Sequence, residues 1–174
     1  MKSRFLVAYF LIINGILHAQ MIEQPTVAYP FDLALTTPDS TEVSTRHVLA
    51  GDQPTVIAFW LTTCVPCFAE LGAYAQNFAN WQQQADFRLI AVSIDFPERF
   101  HKFQQVAREK QWPFPVYWDR TRAFKEILPG TLNGLPQVFL FDKKGKLVWH
   151  HRKYMAGDEA ELFEEIKKVA GKGQ

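Results

Sequence analysis

Residues 59–67 read Phe-Trp-Leu-Thr-Thr-Cys-Val-Pro-Cys and contain both cysteines of the chain. They overlap the end of a near-continuous apolar run, Thr55–Trp60, which is typical of a strand buried on both faces. After them, apolar side chains recur at intervals of three to four residues, which predicts a helix. The apolar face of that helix would consist of Phe68, Leu71, Ala75 and Phe78. Cys64 and Cys67 therefore lie where a buried strand gives way to a helix.

Three structural explanations for these two cysteines are weak. A disulfide that closes a four-residue ring restrains the unfolded chain very little. A structural zinc site needs four ligands, and the adjacent His150 and His151 point to opposite faces of a predicted strand, so they cannot readily complete one. Inert core cysteines are inconsistent with the intervening proline and the strand-to-helix position. The preferred interpretation is a redox-active pair that cycles between dithiol and disulfide.

The start of the helix gives the two thiols different roles. A thiol at a helix N-terminus faces the positive end of the helix dipole and unpaired backbone N–H groups, which stabilise the thiolate that attacks disulfides. Cys64 is outermost, so we expect it to be the nucleophile. Cys67, one turn further and more covered, is expected to be the resolving thiol. Pro66 suits the first helical turn, where its missing N–H costs nothing.

Two further residues are candidates for the catalytic site. Glu70 follows Cys67 by three residues, so on a helix it returns to the same side, where it could accept the proton of Cys67. The alternative is an ordinary exposed carboxylate. Pro136 precedes a predicted buried strand, and a cis bond after Leu135 would leave the Leu135 backbone free to pair with an extended substrate. The alternative is a trans proline that starts the strand.

The rest of the chain predicts an α/β domain with a mixed central sheet. Before the cysteines, the alternation of Phe31, Leu33 and Leu35, a turn at 37–40 and a return strand around Val43 predict a hairpin. After them, the pattern predicts a buried strand over 87–94, a helix whose face is Phe96, Phe100, Phe103 and Ala107, a short strand over 116–118 and a short helix over 123–128. The chain would end in a hairpin of strands 138–141 and 147–149 and a helix whose buried stripe is Leu162, Phe163, Ile166, Val169 and Ala170.

Composition and the N-terminus limit the class of protein. With 174 residues, 48% hydrophobic, the chain suits one globular domain, and its net charge of +1 provides no basic surface for nucleic acid. A basic start, an apolar run over 5–13 and the small Ala19 are typical of a secretory signal peptide. We therefore expect a signal peptide over 1–19 and a domain over 20–174 in the periplasm or another extracytoplasmic compartment. A buried N-terminal helix and an uncleaved membrane anchor are the alternatives.

Two segments resemble those of thioredoxin-fold proteins. Residues 59–67 are similar to the active-site segment, and residues 134–142 are similar to the cis-proline segment. Other features resemble the TlpA/ResA-like branch of that fold: the exported context, Glu70, the insert between Ile94 and Trp118, the N-terminal hairpin and the approach to the last helix over 154–159. The resemblance covers about residues 25–170.

Members of this branch are bacterial extracytoplasmic thiol–disulfide oxidoreductases, commonly reductases, and some serve cytochrome c maturation. The resemblance implies these roles: Cys64 as nucleophile, Cys67 as resolving thiol, Glu70 as the proton-handling carboxylate and Pro136 as the cis-proline. It also implies a membrane-embedded electron donor. Because the cysteines face a shallow surface, we expect a disulfide-containing protein substrate, and we expect no metal or cofactor beyond the redox-active disulfide itself. The expected substrate contacts are Trp60, Thr63, Val65, Pro66 and Leu135.

Two residues depart from the family pattern. Thr63 stands where the family usually has Trp, which changes the surface that a partner meets. Ala58 stands where thioredoxin itself has a buried Asp, so it cannot supply a base. These departures affect partner identity and rate rather than the reaction class.

Other functions of the same cysteines remain open. An oxidase would use them in the opposite direction, which follows from the reduction potential. A copper chaperone would bind Cu(I) against a chelator, although such sites usually place three residues between the cysteines. A thiol peroxidase would consume hydrogen peroxide, but Leu61 stands where those enzymes usually have Thr. A binding module would not turn over a model disulfide.

Overall fold

The structure, a computed structural model, describes residues 32–171. The predicted signal peptide over 1–19 and Phe31 of the first predicted strand lie outside these residues. No helix within the described range is both long enough and apolar enough to cross a membrane.

Seven strands of the described residues form one mixed sheet. They are β1 (Ala34–Thr36), β2 (Glu42–Ser44), β3 (Thr55–Trp60), β4 (Arg88–Ser93), β5 (Val116–Trp118), β6 (Gln137–Phe141) and β7 (Leu147–Arg152). Their order is β2-β1-β5-β4-β3-β6-β7, in which β3, β4 and β5 are parallel and the other neighbouring pairs are antiparallel. The predicted mixed sheet and both predicted hairpins are confirmed.

The helices of residues 32–171 cover the sheet and lead into its ends. They are α1 (Thr45–Val48), α2 (Val65–Gln84), α3 (Phe100–Lys110), α4 (Phe124–Ile127) and α5 (Asp158–Ala170), with 3₁₀ turns over Pro97–Arg99 and Pro129–Leu132. The sequence did not predict α1, whose single turn is too short to show a periodic pattern. It begins because the Ser44 side chain accepts a hydrogen bond from the N–H of Arg46.

Strand β3 separates two apolar cores, as expected for a strand buried on both faces. Ala58 and Trp60 face the core that α2, α3 and α5 cover, whereas Ile57 and Phe59 face the core that contains Phe124 of α4. All six residues of β3 are buried. The strand therefore provides a rigid base for the segment that follows it.

The prediction for α3 is wrong at Phe96. The helix begins at Phe100, and Phe96 precedes it with 53% of its surface exposed. Pro97 starts a 3₁₀ turn directly after Phe96, so the helical periodicity does not extend back to that residue. The buried side chains of α3 are Phe103 and Val106.

One end of the sheet brings together loops that are distant in the sequence. Trp60 at the end of β3 lies opposite Ser93, which in turn lies opposite Trp118, so the carboxyl ends of three parallel strands are level. Gln137, which begins β6, pairs with Arg152 at the end of β7 at that same end of the sheet. We call this end the site edge, and it consists of residues 61–65, 94–99, 119–122, 133–136 and 153–155.

Candidate active site

Cys64 and Cys67 lie at the site edge and form a disulfide, with their Cα atoms 5.3 Å apart. Cys64 is the N-cap of α2, and its sulfur accepts a hydrogen bond of 3.3 Å from the N–H of Cys67. Pro66 lies in the first turn of the helix, as predicted. Cys64 is partly exposed, whereas Cys67 is fully buried. The two sulfurs therefore differ in how readily another molecule can approach them.

Glu70 is not a surface carboxylate, because only 1% of its surface is exposed. One of its oxygens, Oε2, has no hydrogen-bond partner, and Tyr74 one turn further donates a hydrogen bond to the carboxyl group. Burial raises the pKa of Glu70 to about 8; the Tyr74 bond opposes this shift and the charge of Asp158 adds to it. The carboxyl group therefore holds a proton at neutral pH.

The connection from β7 to α5 supplies polar groups near Glu70. The Tyr154 hydroxyl donates to Glu159 at 2.7 Å, and Asp158 Oδ2 lies 3.2 Å from His151 Nε2. Burial raises the pKa of Tyr154 to about 12, and the bond to Glu159 adds to this shift. Tyr74 is also buried, and its pKa lies well above the ordinary value. Of these groups, Tyr74, Tyr154 and Asp158 interact with Glu70, and none of the three carries a positive charge.

Asp95 is a second buried carboxylate, 1% exposed, and the sequence analysis missed it. Its Oδ2 accepts hydrogen bonds from the Thr62 N–H at 2.8 Å and the Ser93 hydroxyl at 2.7 Å. Its Oδ1 accepts from the Thr62 hydroxyl at 2.9 Å. Thr62 belongs to the turn closed by the Cys64 N–H and the Leu61 carbonyl, so Asp95 fixes the loop that carries the first cysteine. The available signal was a single Asp directly after a buried strand.

The peptide bond between Leu135 and Pro136 is cis. The Pro136 carbonyl accepts a hydrogen bond of 2.8 Å from the Lys153 N–H, which ties this turn to the end of β7. The Gln137 side chain donates to the Asn133 carbonyl at 2.8 Å and so closes the loop from the other side. Pro136 itself is buried, and Leu135 is half-buried at the site edge.

Four of the five expected substrate contacts are accessible at the site edge or directly beside it. Thr63 and Pro66 are exposed, Val65 is 76% exposed and Leu135 is half-buried. The expectation for Trp60 is wrong, because its side chain is fully buried. The last residue of β3 points into the core rather than out of the sheet end, so it cannot contact a docked partner.

Trp60 instead packs in the core against the active-site helix α2. Its ring lies 5.9 Å from Phe68, 6.0 Å from Phe103 and 5.3 Å from Trp112, measured between ring centroids. Its indole N–H has no hydrogen-bond partner. The side chain therefore supports the first turns of α2 by apolar packing.

The two adjacent histidines have separate environments, as the sequence predicted. His150 Nε2 lies 3.0 Å from the Gln137 side chain, and its ring stacks on Phe139. His151 pairs with Asp158 on the other face of β7. Within the described part of the chain, no three side chains from His, Cys, Asp and Glu come together as a metal-binding group.

Comparison with known proteins identifies relatives over most of the chain. Residues 27–150 match the model of the AhpC/TSA family. The chain is similar to the thiol-disulfide oxidoreductase YkuV of Bacillus subtilis, with 26% identity over 118 residues, which are 65% of this chain and 73% of that protein.

Solved structures agree with the fold. A thioredoxin-like protein from Porphyromonas gingivalis is 32% identical, with a TM-score of 0.71 over 86% of this chain and 96% of that one. A thiol:disulfide interchange protein of the thioredoxin family from Chlorobium tepidum TLS is 19% identical, with a TM-score of 0.62 over 83% and 99%. StoA from Bacillus subtilis is 19% identical, with a TM-score of 0.57 over 79% and 98%. At such low identity the last two support the fold alone.

Proposed function

The chain belongs to the AhpC/TSA family and is a thiol–disulfide oxidoreductase with a thioredoxin-like fold, and on that premise we propose that it reduces protein disulfides outside the cytoplasm. The observation that carries the proposal is the asymmetry of the pair. Cys64 caps a helix at the accessible end of the sheet, whereas Cys67 is fully buried one turn from the buried Glu70. A shallow accessible edge favours a protein disulfide as the substrate.

The reaction begins with Cys64. Its thiolate attacks one sulfur of the substrate disulfide, a mixed disulfide forms, and the other substrate sulfur leaves as a thiolate. The N-terminus of α2 stabilises the Cys64 thiolate through the helix dipole and backbone N–H groups such as that of Cys67. Because Cys67 is buried, it takes no part in this first attack.

Cys67 completes the reaction. Its sulfur attacks Cys64, which releases the second substrate thiolate and leaves the Cys64–Cys67 disulfide that the structure contains. The substrate gains two electrons, and the protein loses two. The proton of Cys67 passes to Glu70 in the molecules whose Glu70 carboxyl group is ionised. With a pKa of about 8 these are the minority at neutral pH, so the step accelerates as the pH rises, and in the oxidised protein the carboxyl group keeps the proton.

The substrate would lie against the loops of the site edge. Thr63, Val65 and Pro66 surround the nucleophile, and the Leu135 backbone before Pro136 is available to pair with an extended segment. Thr63 in place of a large aromatic residue leaves more room beside Cys64 for the partner's own side chains. These four residues and Pro136 form the proposed substrate contacts.

Continued turnover requires a source of electrons. We assign this role to a dithiol of a membrane-embedded donor, since an oxidising compartment would otherwise leave the pair as a disulfide. The proposal includes removal of residues 1–19 on export and a mature domain over residues 20–174.

The reduction potential of the Cys64–Cys67 pair tests the direction of the reaction. The protein is equilibrated with dithiol buffers of defined potential, and its thiols are trapped by alkylation. We expect a value near or below about −250 mV, at the thioredoxin end of the scale. A value near about −120 mV would instead describe a disulfide donor and overturn the proposal. As a control, Cys67→Ser should accumulate the mixed disulfide on Cys64 and fail to release the substrate.

A further inference from the structure

The site edge carries most of the large apolar side chains that the described residues leave exposed. These side chains are Val65, Phe96, Val148 and Met155. Val65 and Met155 are 76% and 74% exposed, and with Phe96 they lie at the site edge rather than on the outer strand β7. Exposed apolar groups gathered in one place are typical of interaction surfaces. Three of these four side chains therefore lie in the loops at the end of the sheet that carries Cys64.

Phe96 is unusual among these groups because a cation covers part of it. The guanidinium of Arg122 lies over the ring, with Cζ 4.2 Å from the centroid. Arg122 has a φ of 58°, in a left-handed region that few residues other than glycine occupy. Its Nε is buried and has no hydrogen-bond partner.

A second guanidinium, that of Arg99, reaches the active-site loop. Arg99 Nη1 donates to the Thr62 hydroxyl at 3.4 Å, two residues before Cys64. Within residues 32–171, neither Arg99 nor Arg122 forms an ion pair with a carboxylate. Two guanidinium groups without an ion-pair partner among the described residues therefore lie at the site edge, one over the Phe96 ring and one on the loop that carries Cys64.

We infer that Phe96, Arg99 and Arg122 form a docking surface for a segment of the protein substrate that carries a carboxylate beside its disulfide. Guanidinium groups bind carboxylates through paired, charge-assisted hydrogen bonds, and the ring contacts the apolar part of the segment. Such partly exposed charges act mainly on association rate and partner choice. The inference rests on the proposed function, since it names a feature of the same substrate.

The test compares two synthetic peptides, each closed by an internal disulfide. They are identical except for Glu or Gln next to one cysteine. The reduced protein is mixed with each peptide, and the second-order rate constant is read by thiol alkylation at 20 mM and 500 mM NaCl. The readout is the ratio of the two constants, because any change in Cys64 reactivity affects both peptides equally.

We expect the unaltered protein to reduce the Glu peptide about threefold to tenfold faster at low salt, as for one or two partly exposed ion pairs. The ratio should fall towards one at high salt, because salt screens exposed charges. It should also fall towards one in Arg99→Gln/Arg122→Gln. Arg108→Gln, which removes an exposed charge from the last turn of α3, should keep the full ratio. If the double variant does not fold, Arg99→Gln alone should lower the ratio.

Two results would overturn the inference in different ways. A ratio near one in the unaltered protein, with both peptides reduced, would remove the docking surface and leave the proposed function intact. Failure to reduce either peptide, and failure to reduce neutral bis(2-hydroxyethyl) disulfide as well, would contradict the proposed function itself. If the ratio falls as far in Arg108→Gln as in the double variant, the effect comes from net charge in general, and this result would also contradict the inference.

Discussion

Glu70, one turn after Cys67, and Asp95, bonded to the loop before Cys64, are two carboxylates of equal burial whose environments differ completely. Each is 1% exposed. Asp95 accepts three hydrogen bonds, two of them from Thr62, so both of its oxygens are occupied. Glu70 has one oxygen without a partner and a pKa of about 8. Burial alone therefore does not decide what a carboxylate does.

The difference follows from the supply of donors. Asp95 follows the end of β4, where it accepts hydrogen bonds from the N–H and hydroxyl of Thr62 and from the Ser93 hydroxyl. Glu70 lies on the inner face of α2, where the helix has already used its backbone N–H groups, so only Tyr74 is available. A carboxylate whose two oxygens both accept hydrogen bonds fixes a loop. A carboxylate with an oxygen that lacks a partner can take up and return a proton.

Asp95→Ala should produce the largest change. It leaves the Thr62 N–H and the hydroxyls of Thr62 and Ser93 without their acceptor, which should lower the free energy of unfolding by about 3 kcal/mol. Urea unfolding measures the loss. Glu98→Ala, at an exposed position nearby, should change it by less than about 0.5 kcal/mol. Similar values for the two variants would show that Asp95 does not hold the loop.

Glu70→Gln should slow the attack of Cys67 on the mixed disulfide by about 100-fold, since the variant cannot accept a proton. In the unaltered protein this step should accelerate with pH and level off near the Glu70 pKa of about 8. The variant should lose that inflection. Single-turnover reduction of a peptide disulfide, followed from pH 5 to 10, measures both effects. An unchanged profile in the variant would assign the proton to another group.

The stability of the oxidised protein should fall as the pH rises from about 4.5 to about 8. In the folded state Glu70 keeps its proton up to about pH 8, whereas in the unfolded state it loses the proton near 4.5. The folded state binds more protons in this window, so higher pH favours unfolding, with a slope of about 1.4 kcal/mol per pH unit.

Urea unfolding of the unaltered protein and of Glu70→Gln across this pH range isolates the contribution of Glu70 to stability, because the two proteins share their other titrating groups. The free energies of unfolding of the two proteins should agree in slope below pH 4.5 and above pH 8 and diverge between these limits. Parallel curves through the whole range would show that the carboxyl group is ionised in the folded protein.

Tyr74→Phe should have the smallest effect. The hydroxyl of Tyr74 holds the pKa of Glu70 down, so its removal should move the kinetic inflection to higher pH by less than about one unit. The direction of the shift separates the two effects on Glu70, because the Tyr74 hydrogen bond lowers its pKa whereas burial raises it. Tyr154→Phe provides the control, since the Tyr154 hydroxyl donates to Glu159 instead. A shift to lower pH in Tyr74→Phe would contradict the assignment.

Local pattern predicted the elements of the fold well. Residues 55–60 and 116–118 are strands as expected, because a short apolar run between turn signals defines a strand without reference to the rest of the chain. The order of the strands was not predictable, since the pairing of Thr36 with Trp118 joins residues far apart in sequence. Phe96 was misassigned because it lies four residues before Phe100 and so fits the periodicity of α3. Pro97 starts a 3₁₀ turn instead, so the helix begins only at Phe100.

The site was predictable where it depends on neighbours along the helix, and not where it depends on contacts between elements. The helix-start position of Cys64 and the burial of Cys67 follow from the local sequence. The burial of Glu70 depends on α5 and its approach, which cover α2, so the sequence left its exposure open. Asp95 was missed because its main partner, Thr62, lies 33 residues away.

The most direct test of the contrast between the two carboxylates is a titration of the Glu70 side-chain carboxyl carbon by ¹³C NMR in the oxidised protein, with Glu70→Gln used to assign the signal. A midpoint near pH 8 is the result expected for a buried carboxyl group that receives the proton of Cys67. A midpoint near 4.5, the ordinary value for Glu, would show that Glu70 is ionised at neutral pH and would contradict its role as the group that keeps this proton.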